Sequence, residues 1–207
     1  MTGEGTMSLL QGLFADKKQA TQLQSAYALG LQQAREHLWE AALPNFLIAV
    51  DLAHSYTKAQ VMLCLCYSHQ VDEESVKIHL RHLQKADPRL AEKIAGLPGA
   101  ARVLCLGTSD ELESPQFTRV LVDLRDHHKL PSLFDLRLTP SAYIKLILGM
   151  VDEGYITRVK IKDTRNAADL PELCCPSLTQ KGEAALDVWE STFSIFADNV
   201  MALIERD

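Results

Sequence analysis

Residues 138–186 read LTPSAYIKLILGMVDEGYITRVKIKDTRNAADLPELCCPSLTQKGEAAL. Thr139 followed by Pro140 predicts a capped helix start. A hydroxyl at the cap accepts from an orphan N–H, and proline suits the first helical position. Apolar Tyr143, Ile144, Ile147, Leu148 and Val151 then recur at the spacing of one helical face. Gly154 offers the left-handed backbone at which helices stop. From Tyr155 to Lys162 the pattern changes to period two. Tyr155, Thr157, Val159 and Ile161 share one side; Ile156, Arg158, Lys160 and Lys162 share the other, which predicts a half-buried strand. A polar loop over 163–172 leads to a second strand over Leu173–Leu178. Thr179 then caps a helix with Lys181 and Gly182 in its first turn.

Helix, strand, polar loop, strand, helix resembles the winged-helix layout. The phrases DEGYITR (152–158) and LTQKGEAAL (178–186) resemble those of the YjcQ-like family, small winged-helix proteins of bacteria and their phages. There a leucine-rich helix ends in a GYI strand and the wing returns into LTEKG. The resemblance covers residues 115–186. It implies a fold and settles no function, because the family carries no general biochemical assignment. Residues 116–127, with Phe117, Val120, Leu121 and Leu124 on one face, predict the first helix of this domain. Residues 130–136, with Pro131, predict a short second. The helix from Pro140 is then the third, which enters the major groove in DNA-binding relatives.

The N-terminal half repeats. Leu29, Gly30, Trp39, Ala42, Phe46, Ala49 and Leu52 follow the order and spacing of a tetratricopeptide repeat. A shift of thirty-four residues lands on Leu63, Cys64, Tyr67, Val76, Leu80 and Leu83 and ends at Asp87-Pro88. The repeats span 23–56 and 57–90. Cys64 replaces the usual glycine and Leu83 the usual small residue. A helix over 8–22 precedes the array, another starts at Arg89, and 100–106 reads equally as helix or buried strand. The fold class expected is mainly α: a tetratricopeptide-like array over 1–106, a linker over 107–114, and an α+β winged-helix domain with a long C-terminal helix over 115–207.

In tetratricopeptide proteins the inner helices line a peptide groove. The matching positions here are Gln24, Tyr27, Leu31, Ala34 and Arg35, then Lys58, Val61, Leu65, Ser68 and His69. The site set carried forward is Tyr27, Leu31, Arg35, Val61, Leu65 and His69. Such a groove suits an amphipathic helix of a partner protein. The other reading is that this surface is covered from within the chain.

Charge divides unevenly. Residues 1–106 hold ten Lys+Arg and ten Asp+Glu; residues 107–207 hold eleven and seventeen, which accounts for the whole net charge of −6. Nucleic-acid affinity rests on phosphate neutralisation, so an acidic half can bind DNA only through a local patch. The third winged helix offers Ser141, Ala142 and Lys145 outward. The remaining candidates are wing cations: Arg158, Lys160, Lys162 and Arg165. A solvated strand face is the alternative.

Leu186, Trp189, Phe193, Phe196, Val200 and Leu203 form a heptad seam. It predicts either packing within the chain or a homodimer. Five cysteines without framework spacing fit a reducing cytoplasm. No apolar run is long enough for a membrane span. No metal, cofactor or catalytic constellation stands out. Cys64, Cys66 and His69 share a helix without converging, and His79 and His82 lack further ligands. The expectation is a non-enzymatic cytoplasmic adaptor of bacterial or phage type. The alternative is a dimeric winged-helix transcriptional regulator that binds DNA.

Overall fold

The computed structural model describes residues 4–104, 114–157, 160–161, 173–174 and 176–206, with the side chains of 17–104, 114–157 and 176–206. It is mainly helical and divides into two compact units, residues 1–96 and 97–207. Among the described residues no helix is long and apolar enough to cross a membrane.

The first unit contains α1 (Glu4–Arg35), α2 (Trp39–Leu52), α3 (Thr57–His69), α4 (Glu73–Ala86) and α5 (Pro88–Ala95), each packed on the next. The helix expected over 8–22 and the first repeat helix are one continuous α1, because neither proline nor glycine interrupts residues 14–29. The backbone itself recurs at thirty-four residues. His37 and Val71 both take positive φ, 59° and 55°. Leu38 N–H donates to the Gln33 carbonyl and Asp72 N–H to the Tyr67 carbonyl, both at 2.9 Å. His37 donates to Ala34 and Val71 to Ser68, both at 3.0 Å. These paired bonds close a helix end with a Schellman turn. The exits match too: Ala53 after α2 has φ −148° and ψ 94°, and Asp87 after α4 has −145° and 85°.

The core of this unit follows the small-and-large pattern. Ala34, Trp39, Ala42, Phe46 and Ala49 are buried, as are Leu63, Cys64, Val76, Leu80 and Leu83. Gly30 is needed for helix contact: a Cβ there would meet the Phe46 ring at 2.9 Å. Thirty-four residues on, Cys64 stands where Gly30 stood and the smaller Leu80 where Phe46 stood. Leu29, by contrast, is exposed.

The second unit holds α6 (Ala100–Val103), α7 (Pro115–His127), α8 (Pro140–Asp152), β1 (Lys160–Ile161), β2 (Leu173–Cys174) and α9 (Gln180–Arg206). The division at Gly96/Leu97 lies upstream of the expected linker, and residues 105–113 lie outside the described ones. Gly99, at φ 85°, lies against α9: a Cβ there would sit 3.1 Å from the Thr192 methyl. That contact places α6, helical where the sequence left a choice, in this unit.

Three hydroxyl caps start the longer helices. Ser114 Oγ accepts from Phe117 N–H, Thr139 Oγ1 from Ala142 N–H, and Thr179 Oγ1 from Gly182 N–H. The expected second helix over 130–136 is a single turn. Leu138 N–H donates to the Leu133 carbonyl, and Arg137 at φ 52° ends it. Leu133 and Leu136 face inward, and the Tyr143 hydroxyl donates to the Pro131 carbonyl at 3.0 Å.

β1 and β2 pair antiparallel, Lys160 with Cys174 and Ile161 with Leu173, and an isolated bridge joins Ile156 to Leu178. Among the described residues, these are the paired pieces of the expected strands. The expected polarity is also corrected at its start: Ile156 is 2% exposed, whereas Tyr155 and Thr157 are half-buried. The chain after the Gly154 turn is held by backbone bonds that set its facing before the alternation begins. Tyr155 N–H donates to Met150, and Thr157 N–H to Ser177.

Candidate interaction surfaces

On α1 of the expected groove, Gln24 and Arg35 are exposed, Tyr27 and Leu31 half-buried, and Ala34 buried. The Tyr27 ring meets Tyr56 edge-on, with centroids 5.0 Å apart, and tilts against Phe46. On α3 the expected groove is closed. Val61 is 2% and Leu65 1% exposed, and Ser68 is buried beside them. Lys58 and His69 are half-buried. The sequence made this stretch look like an apolar groove because it is core: every residue from Ala59 to Cys66 is buried. A helix that is apolar all round is covered all round.

Gln60 is the polar exception within that buried run, and sequence reasoning missed it. Its Nε2 donates to the His54 carbonyl at 3.3 Å, and its Oε1 lies 2.7 Å from His79 Nδ1. An amide oxygen can only accept, so Nδ1 carries the proton in this pair. The Tyr67 ring stacks on His79, with centroids 5.3 Å apart and planes at 10°. Burial first, and then the neighbouring His82, lower the His79 pKa from its ordinary 6.5. Burial pushes the Cys64 and Cys66 thiols up to about 12, so both are held as neutral core residues. Among the described residues, no group of three or more His, Cys, Asp or Glu side chains is placed to hold a metal ion.

On α8, Tyr143, Ile147 and Met150 face the core, while Ser141, Lys145, Leu148 and Asp152 are exposed. These four stand at spacings of four, three and four, one line along the helix. Of the wing cations, Arg158, Lys162 and Arg165 lie outside the described residues, and Lys160 is described in its backbone alone.

The corner between α8 and α9 explains the GYI and LTQKG phrases. Gly154 turns at φ 77°. The Tyr155 carbonyl accepts from both the Thr179 N–H and hydroxyl, each at 3.1 Å. The same carbonyl would sit 2.3 Å from any Cβ at residue 182. Lys181 Nζ reaches the Glu153 carbonyl at 2.6 Å and lies 4.1 Å from the Tyr155 ring centre, in cation–π range. The glycine and threonine of LTQKG thus bring the first turn of α9 against the backbone at Tyr155.

No family model, curated protein or solved structure matches this chain.

Along α9, Leu186, Trp189, Phe193, Phe196 and Val200 are buried in the single chain, and Leu203 is half-buried. Gly182, Ala197, Met201 and Ile204 widen the seam. The Trp189 and Phe193 rings stack with centroids 5.6 Å apart. Arg125 of α7 ties Asp126 to Glu190 of α9. Of the two uses the seam allowed, packing within the chain is the one that its burial satisfies. The opposite face exposes Val188 and Ile195, with Asp187, Glu190, Ser191, Ser194 and Ile195 lining a shallow open recess. The signal for it was a second three-and-four pattern, one that also runs through polar residues.

Proposed function

We propose that this chain is a non-enzymatic adaptor that binds a protein partner. On this reading residues 1–96 form a tetratricopeptide-like unit and residues 97–207 a winged-helix-like unit. The thirty-four-residue recurrence of turns and helix ends supports the first assignment. The capped α8, the Gly154 turn, the β1–β2 pair and the Thr179 cap support the second.

The observation that carries the functional reading is the outward line of α8. It presents a hydroxyl, one lysine, an apolar side chain and a carboxylate, at Ser141, Lys145, Leu148 and Asp152. A helix that reads bases presents arginine, asparagine or glutamine for bidentate contacts. Exposed Leu148 has no use against phosphate, and Asp152 opposes it. A mixed surface of this kind suits a protein.

The test is fluorescence anisotropy of a mixed-sequence DNA duplex across a salt series, with an Arg158→Ala/Lys160→Ala/Lys162→Ala variant for comparison. The expected result is no binding, even at low salt. Salt-sensitive binding that the variant loses would replace the adaptor with a DNA-binding regulator acting through Lys145 and the wing. Each phosphate contact removed would then flatten the log–log salt slope by about 0.9.

A further inference from the structure

Val188 and Ile195 lie two helical turns apart on α9 and are 54% and 60% exposed. Ser191 stands between them, and Ala184 and Ala202 continue the line; all three are exposed. Alongside runs a second line, Glu183, Asp187, Glu190, Ser194 and Asp198. Glu183, Asp187 and Asp198 are exposed, and Glu190 is held by Arg125. The recess at Asp187, Glu190, Ser191, Ser194 and Ile195 joins the two lines. α9 carries five carboxylates against two cations, Lys181 and Arg206, which stand at its two ends. Lys181 is drawn off to the Glu153 carbonyl and the Tyr155 ring.

We propose that this face of α9 is the docking site for a cationic amphipathic helix of a partner protein, a proposal that rests on the adaptor reading above. Apolar side chains of the incoming helix, seven residues apart, rest on Val188 and Ile195. Its lysines or arginines meet Asp187 and Asp198, with one cation seated in the recess beside Asp187. Helix-in-groove recognition uses this i, i+3 or i+4, i+7 arrangement of anchors. Charge selects the occupant. A second copy would set carboxylates against carboxylates, and nucleic acid would set them against phosphates; like-charge juxtaposition across an interface is strongly unfavourable. Opposite charge also speeds encounter.

The experiment uses the full chain and a fluorescein-labelled peptide of about 18 residues, long enough to form a helix, with leucines on one face flanked by lysine and arginine. Saturable anisotropy is expected. Ile195→Asp should weaken it about tenfold or more, the loss typical of a central anchor. Asp187→Lys/Asp198→Lys should also weaken it, while gaining affinity for the same peptide carrying glutamate in place of its cations. These side chains are exposed, so circular-dichroism melts of the variants should match the parent.

Failure of the basic peptide to saturate, or equal affinity in Ile195→Asp, overturns the proposal. So does a dimer in sedimentation velocity that Ile195→Asp dissolves, since the face then belongs to a second copy. The DNA duplex titrated in parallel separates the two levels of inference. Salt-sensitive DNA binding that the wing variant loses overturns the adaptor reading. No binding of either probe removes the α9 surface alone.

Discussion

Among the described residues of the second unit two glycines lie within helices, and replacing each with alanine should give opposite results. In a helix interior alanine is favoured over glycine by about 1 kcal/mol, because glycine orders more backbone freedom. At Gly149 of α8 nothing lies within 4 Å of a built Cβ, so Gly149→Ala should raise stability by about that amount. At Gly182 the Cβ would fall 2.3 Å from the Tyr155 carbonyl oxygen. That neighbour is backbone, so relief requires α9 to lift by about 1 Å, judged from ordinary packing contacts of roughly 3.5 Å. Lifting strains the two Thr179 bonds to Tyr155, each contributing about 0.5–1.5 kcal/mol, on top of about 1–3 kcal/mol for overpacking. The net expectation for Gly182→Ala is a loss of about 1–5 kcal/mol after the propensity gain. The assay is urea unfolding followed by fluorescence of Trp189, in a Trp39→Phe background so that the second unit is read alone. With a urea slope of about 1–3 kcal/mol/M, a loss of 2 kcal/mol should move the midpoint down by about 1 M. A Gly182→Ala midpoint at or above that of the parent would refute the close approach of α9 to Tyr155.

Thr179→Ala removes a cap and the hydroxyl's bonds to the Gly154 and Tyr155 carbonyls, and should cost about 1–2 kcal/mol in the same assay. Stability should fall on acidification. His79 titrates below its ordinary 6.5 in the folded chain, so the unfolded chain binds the extra proton first. The loss should begin near pH 6.5, grow toward the lower folded value and then level off. His79→Gln should flatten that segment of the stability–pH curve. Cys64 and Cys66 should resist iodoacetamide at pH 8 in the native chain and label fully in denaturant, as read by peptide mass mapping.

Much of the local structure was legible because single residues enforce it. Thr139 with Pro140, Gly154 and Thr179 each fix a helix end by one bond or one dihedral, and these ends fall where the sequence puts them. Gly30 and Phe46 likewise signal one close helix contact. Burial was harder to read, because it depends on what covers a face as well as on the face itself. Val61 and Leu65 have the composition of an open groove and of a core alike. The heptad seam of α9 was visible in its aromatic residues. Its outer face was not, since Val188 and Ile195 are diluted by Ser191 and Asp198. Ile156 misled for another reason: period two fixes alternation, and the bonds around the Gly154 turn fix which side is inside.

The matched exits of α2 and α4 bear on how the helical unit ends. After Ala53 three more residues pass before α3 begins. After α4, Asp87 both closes that helix and accepts from Leu90 N–H to open α5, with Pro88 in its first turn. α5 therefore begins three positions ahead of the thirty-four-residue register. At about 100° per residue its faces are turned by about 60° from those a further copy would present. Asp87 and Pro88 thus open α5 at the junction where, after α2, three further residues precede the next helix. Lengthening the unit would mean splicing a duplicate of residues 53–86 directly after Ala86, ahead of Asp87; an addition beyond Gly96 would start from the wrong phase.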